Sequence, residues 1–419
     1  MRKFVALIVT FIFIYPIFIK YLPIPLDRVF QIFGFVLLIF NKFDFTRIFA
    51  NRNVFSFLLA TILLFLLALL PQVLLPGVSD YYFVKTVFDT FLSFFSAYFV
   101  YHFVRKIGSE NTFSDLIQLI VIASIIQTIV SLVFFLSPNL FDIYSNILNE
   151  DANEKLLSRS STLNKRFIGI GSQFFSGVIK YGFAFFCLLI LPYISPAKWV
   201  KNKFLYGASI AIVGVGGLLT GRTFFVAILL GLIMLMIINS KSVVHLIRLN
   251  IKIFFSLLIL IPIIYYIALI TIDPHRLEII NNYVFEIFIN LFSEGSLSTS
   301  SSDTTLSMYV FPETNNTWFF GDGKIMEEDG SYYMGTDVGY IRLLFYFGLP
   351  STLVFIYVLL KYQSILRRLT LSRPLKIFFF IIGVWILVLN FKGLTLDTQY
   401  FVIFLLFLVL SNFRFQFNN

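Results

Sequence analysis

The chain contains one cysteine and three histidines in 419 residues, too few for a disulfide framework or a cysteine-based metal site. Cys187 lies inside an apolar run and reads as a small core residue. Charge is also scarce. Only 13% of residues are Asp, Glu, Lys or Arg, 58% are hydrophobic, and the mean hydropathy is +0.89. This excludes an ordinary soluble domain, in which about a quarter of residues are charged. No segment repeats, and the two halves show no similarity to each other. No small-residue cleavage site follows the first apolar run, which begins at Phe4 after Met1, Arg2 and Lys3. The run is therefore expected to be a retained first helix rather than a secretory signal.

What the sequence does have is apolar runs, each of roughly 18 to 25 residues and long enough to cross a bilayer as a helix. Spans are expected near 4–22, 27–41, 54–76, 82–104, 113–136, 173–194, 203–219, 223–239, 251–272, 337–360, 375–391 and 397–413. Backbone groups facing lipid must be satisfied within their own segment, so the expected fold is all-α. It is a polytopic membrane helix bundle of about twelve transmembrane helices, a single integral membrane domain over residues 1–419. The net charge of +10 gathers in alternate connections and both tails, at Lys42, Arg47, Arg105, Lys106, Lys198, Lys201, Arg367 and Arg368 among others. That asymmetry puts both termini in the cytoplasm. The basic excess thus reads as a topology signal with contacts to anionic membrane lipids, and not as a nucleic-acid surface.

Two outer connections are long, 137–172 and 273–336, and long loops in compact proteins tend to carry function or disorder. In the second, Asp273 and Pro274 suit a helix start, and Leu277, Ile280, Val284, Phe288 and Leu291 recur at helical spacing until Gly295. An amphipathic helix on the membrane surface, or roofing a cavity, is expected. The polar stretch "SLSTSSSDTT" that follows reads as mobile low-complexity sequence.

Some cations are left over once topology is accounted for. Lys165, Arg166, Lys180, Arg222, Arg276, Arg342 and Lys392 fall at or near the outer face. A charge deep in a span costs roughly 2.5 to 3.5 kcal/mol, so each needs a partner or a wet cavity. In "GTDVGYIRLLFYFGLP" (335–350), Asp337 and Arg342 are five apart, about 140° around a helix, which argues against a mutual ion pair. Asp337 would share a face with Tyr340 and Ile341, while Arg342 would point to another neighbour. Gly335 and Gly339 would admit a close approach. Arginine binds phosphate oxygens bidentately and stays charged. Arg166, Arg222 and Arg342, on three spans, could surround a diphosphate, with glycines beside the cations in "GIG" and "GRT". Interfacial arginines reaching for lipid headgroups are the plain alternative.

"RFIGIGSQFFSGVIKYG", "GLLTGRTFF", "FFGDGK" and "GTDVGYIRLLFYFGLP" resemble, in order and spacing, the O-antigen polymerase family (Wzy) of bacterial inner membranes. The resemblance covers most of the chain. Ten residues separate Arg166 from Gly177, as in this family, whereas Arg276 has no glycine at the matching distance. The resemblance implies a metal-independent, cofactor-free glycosyl transfer at the periplasmic face. The growing glycan would pass from undecaprenyl diphosphate to a hydroxyl of the next undecaprenyl-diphosphate-linked repeat unit, with a chain-length regulator protein as a possible partner. Arg342, Arg166, Arg222, Lys180 and Lys392 would hold the substrate and its developing charge. Asp337, then His275, is the candidate general base. Tyr309, Asn315, Asn316, Trp318, Asp322 and Tyr340 would wall the sugars.

Each role has a plainer counterpart. Asp337 also reads as a helix cap, and His275 beside Pro274 as a solvated loop residue. Glu327, Glu328 and Asp329 read as a solvated turn, and Asp80 in the first outer connection reads as a loop residue without neighbouring acids. Two other functions fit the same class of chain. A lipid-linked oligosaccharide flippase should show repeated halves and charges near the midplane, where Lys180 suits it best. An O-antigen ligase should use a histidine in the large loop, where only His275 is available.

Overall fold

The computed structural model describes residues 1–22, 24–75, 80–109, 111–148, 167–171, 174–195, 197–239, 278, 282, 286–296, 299–327, 329–396 and 398–411. In chain order the helices are α1 (Arg2–Ile14), α2 (Leu26–Phe40), α3 (Lys42–Phe49), α4 (Arg52–Leu74), α5 (Tyr82–Arg105), α6 (Thr112–Leu136), α7 (Pro138–Ile147), α8 (Phe174–Ile194), α9 (Lys198–Lys201), α10 (Lys203–Thr220), α11 (Phe224–Ile238), α12 (Glu286–Glu294), α13 (Ser300–Ser307), α14 (Asn315–Phe320), α15 (Gly339–Leu369), α16 (Arg373–Leu389) and α17 (Gln399–Ser411). Among the described residues there are isolated bridges but no β-strand.

Six of these helices, α4, α5, α6, α8, α10 and α15, are long and apolar enough to cross a membrane. The pair α2 and α3, bent by 98°, makes a seventh if it counts as one span. The protein is thus a polytopic helical bundle. The expected span at 251–272 lies outside the described residues. The expected first span, 4–22, is shorter: α1 stops at Ile14 with Tyr15 as its C-cap. Pro16 follows Tyr15, and the residue before a proline is pushed out of the helical region. Helix starts follow local chemistry. Asn41, Asn51, Asn111 and Asn202 each accept a backbone N–H in the first turn of α3, α4, α6 and α10.

The chain divides into two compact units, Met1–Phe30 with Val100–Leu297, and Gln31–Phe99 with Ser298–Asn419. In the first, α8 is the central helix, buried along nearly its whole length from Phe174 to Leu191. Small residues let its neighbours close on it. A side chain at Gly216 would meet Tyr181, and one at Gly231 would meet Phe185 and Leu189.

In the second unit, α15 packs against α4, α14, α16 and α17. Tyr362 stacks on Phe57 at 4.1 Å between ring centroids and shares a 2.8 Å hydrogen bond with Thr61, which fixes α15 to α4. Within α15 the backbone breaks at Gly348, with φ at 71°. Pro350, two residues on, has no N–H and disfavours helix before it. The break frees carbonyl groups, and the Asp322 amide donates to one of them, that of Phe345. Here α14 meets α15 through main chain. A Cβ on Gly348 would lie 2.4 Å from the Phe319 carbonyl oxygen, and one on Gly321 2.4 Å from that of Tyr346. "FFGDGK" and "FYFGLP" are therefore two sides of one joint.

The stretch "SLSTSSSDTT", expected to be mobile, is largely the helix α13. Thr299 and Ser302 form a reciprocal capping box, and the hydroxyls of Thr304 and Thr305 bond back to the carbonyls of Ser300 and Ser301. Hydroxyl side chains that usually compete with helix here satisfy its ends and turns instead. Of the amphipathic helix expected from Pro274 up to Gly295, the later part is α12, Glu286–Glu294, with Leu291 and Phe292 exposed; most of its earlier part lies outside the described residues.

Candidate functional site

In the second unit, polar side chains gather where the connection 299–338 enters α15. Residues 325–333 form a small hairpin. Met326 bridges Tyr332, the Tyr333 amide donates to the Ile325 carbonyl at 3.1 Å, and Gly330, with φ at 81°, makes the turn. The hairpin presents two tyrosines. Tyr332 lies under the Arg342 guanidinium, 4.7 Å from ring centroid to Cζ. Tyr333 donates to Asp322 at 3.1 Å, and Thr317 donates to the other Asp322 oxygen at 2.8 Å. Burial first, then the Asp322 carboxylate beside it, pushes the Tyr333 phenol up to about 12.

Arg342 is buried in the first turns of α15, its side chain 7% exposed. Its Nη1 donates to Asp337 Oδ1 at 3.2 Å. This corrects the expectation that the two would not pair. Asp337 precedes the helix, which begins at Gly339 after an extended Val338, so the angular rule for two residues on one helix does not apply. Asp337 is not the N-cap either; the Val338 amide instead donates to the Thr336 hydroxyl at 3.3 Å. Among the described residues the buried Arg342 Nε has no hydrogen-bond partner, and the Asp337 side chain is 41% exposed. The cation, the aromatic face of Tyr332 and the half-exposed carboxylate thus form one polar cluster at the start of α15.

The remaining residues expected in this region have mixed roles. Tyr340 spends its hydroxyl on the Leu387 carbonyl at 2.8 Å and packs edge-on against Phe391, so it pins α15 to the end of α16. Gly339 does permit a close approach, from Asn390 and Gly393. Lys392 donates to Ser301 at 3.0 Å, tying α13 to the same turn. Trp318 donates to the Pro312 carbonyl at 2.8 Å and stacks on Phe311, 6.2 Å away and nearly parallel, with Phe311 exposed. An apolar groove of about 310 Å³ runs between α4 and the break of α15, lined by Leu70, Pro71, Leu74, Phe319, Phe320 and Phe347.

In the first unit, the "GIG" segment is packed into protein. Gln127 donates to the Ile170 carbonyl at 3.0 Å, the Gly171 amide donates to the Tyr144 hydroxyl at 3.1 Å, and Lys180 Nζ donates to the Gly171 carbonyl at 2.6 Å. Gly171 has φ at 57°, and a Cβ there would sit 2.2 Å from the Pro16 carbonyl oxygen. Glycine is needed here for turn geometry and for the approach of residues 15 and 16. Lys180, buried in α8 and over the Tyr15 ring at 5.4 Å, holds this segment. Arg222, between α10 and α11, is ion-paired with Glu286, the first residue of α12.

Arg222 belongs to the first unit, Arg342 to the second, and Arg166 and His275 lie outside the described residues. The three-arginine diphosphate site stays an expectation. Two site residues were not foreseen, Tyr332 and Glu286. Tyr332 is one of several tyrosines in its loop, and only the hairpin selects it; Glu286 is selected only by its pairing with Arg222. Comparison with protein families, curated proteins and solved structures finds no match to this chain.

Proposed function

We propose that the protein is a membrane-embedded glycosyltransferase, an O-antigen polymerase with about twelve spans and its large connection on the periplasmic side. It takes a glycan from undecaprenyl diphosphate and adds it to the next lipid-linked repeat unit. The observation that carries this reading is the Arg342 environment. A buried guanidinium with an unbonded Nε, paired with the half-exposed Asp337 and faced by Tyr332, sits beside the hairpin that carries that tyrosine. In the reaction, an acceptor hydroxyl oxygen bonds to the anomeric carbon as the bond from that carbon to the diphosphate breaks. The hydroxyl proton passes to Asp337, and Arg342 stabilises the charge arriving on the departing diphosphate. The groove between α4 and the break of α15 suits the first isoprene units of the carrier.

The gel pattern of surface polysaccharide in a deletion strain tests the reading. Complementation with Arg342→Ala should reduce the long ladder by about 10² to 10³-fold, with protein level unchanged and core plus one repeat unit retained. A normal ladder with Arg342→Ala would remove the reading. Repeat units accumulating on the cytoplasmic leaflet of the deletion strain would replace it with a flippase, and loss of the single-unit form with a ligase.

A further inference from the structure

Asp80, just before α5, makes more contacts than a loop carboxylate needs. Its Oδ1 accepts the Tyr82 amide at 3.0 Å, which caps the start of α5. One oxygen suffices for that role. The other, Oδ2, accepts the Ile325 amide at 2.6 Å and the Met326 amide at 3.3 Å, 245 and 246 residues away in sequence. Both amides belong to the first arm of the hairpin whose second arm carries Tyr332. Through its main chain the same residue reaches α15, since the Asp80 carbonyl accepts Gln72 Nε2 at 2.7 Å and the Tyr346 hydroxyl at 3.1 Å. Tyr346 is four residues beyond Arg342 and so shares its helix face. The two partners of the cation–aromatic stack are thereby referenced to one residue, Tyr332 through the carboxylate and Arg342 through the carbonyl.

The hairpin requires such a tether. A lone two-stranded hairpin is marginal in water, and Glu327, Gly330 and Ser331 at its turn are exposed. Of its anchors, Ile325 is buried and Tyr333 bonds Asp322, while the Asp80 carboxylate holds the arm opposite Tyr332 directly. We propose that Asp80 is a positioning residue. It fixes the hairpin 325–333 against α15 and so keeps the Tyr332 ring beneath the Arg342 guanidinium. Its effect on turnover rests on the polymerase reading, while its effect on Arg342 does not.

The test uses the purified full-length protein with phenylglyoxal as an arginine probe, read residue by residue by mass spectrometry, alongside amide exchange of the hairpin. Asp80→Ala should speed exchange at Ile325 and Met326 several-fold and raise labelling of Arg342 several-fold, with Arg367 and Arg368 unchanged. Asp80→Asn, which keeps one acceptor oxygen, should recover part of both effects. Tyr332→Leu, which leaves the hairpin amides and Asp80 in place, should raise Arg342 labelling without changing exchange at Ile325 and Met326. This variant also judges the stack should Asp80→Ala fail to fold. Arg342 labelling that stays at the wild-type level in Tyr332→Leu, or in an Asp80→Ala protein whose hairpin exchanges faster, overturns the proposal. In a polymerisation assay, Asp80→Ala should lower kcat and kcat/KM together, several-fold, with KM held within about twofold, because Arg342 acts on charge that develops in the transition state. A wild-type protein without polymerase activity would sink the functional reading and leave labelling to judge the tether.

Discussion

Each compact unit has a buried arginine facing a carboxylate, and the two pairs differ in what surrounds them. In Arg222–Glu286 both side chains are largely enclosed, 7% and 20% exposed. In Arg342–Asp337 the cation is equally buried but the acid is 41% exposed, and the cation also has an aromatic face and an unbonded Nε. A closed pair keeps both partners from water, while a pair open on one side leaves its acid in reach of solvent. The first pair ties the α10–α11 junction to Glu286 of α12, whereas the second ties Asp337, just before α15, to the first turns of that helix.

The largest effect should come from the joint beneath the second pair. Gly348→Ala would force alanine into φ 71° and ψ 170°, a conformation open essentially to glycine alone, costing about 1 to 3 kcal/mol in backbone, and would also push a methyl group into the Phe319 carbonyl. We expect loss of monodisperse protein in detergent, and Gly321→Ala should behave alike. A well-folded Gly348→Ala protein would show that the joint can slide.

The comparison itself is tested by removing each acid. Glu286→Gln should destabilise by about 3 to 5 kcal/mol, as for a broken buried pair. Asp337→Asn should cost about 1 kcal/mol or less, because solvent reaches that carboxylate. Thermal unfolding of the two variants should rank them in that order; the reverse order would mean that the first pair is the open one.

Lys180→Met should lower stability by about 1 to 3 kcal/mol by leaving the Gly171 carbonyl short of a donor. Ligand affinity should be unchanged, and a selective loss of activity at normal stability would return Lys180 to the substrate site.

The smallest effect concerns pH. The folded pKa of Tyr333, about 12, lies above its ordinary value near 10. The protonated form is the one favoured by folding, so its contribution is complete below about pH 10 and is lost as pH rises toward about 12. The tyrosinate absorbance change that Tyr333→Phe removes should fall in that upper range, with no change in stability between neutral pH and about pH 9.

The sequence reveals the helices more readily than the site. Long apolar runs mark α4, α6 and α10, while the first span, expected to run to residue 22, stops at Ile14 because Pro16 bars the helix. Arg342 stands out as a cation in an apolar helix, but its partner was misjudged. The spacing rule assumes that both residues are helical, and Asp337 is not. Asp80 and Tyr332 were illegible because their roles depend on a hairpin nearly 250 residues from α5 in sequence. The serine and threonine run misled in the other direction, since composition alone cannot show that Thr299 and Ser302 cap each other.

At the joint between α14 and α15, peptide groups of the two helices come together at two glycines. Main chain in contact with main chain leaves no side chain to trim there, so the spacing of the two helices is set by the missing β-carbons themselves.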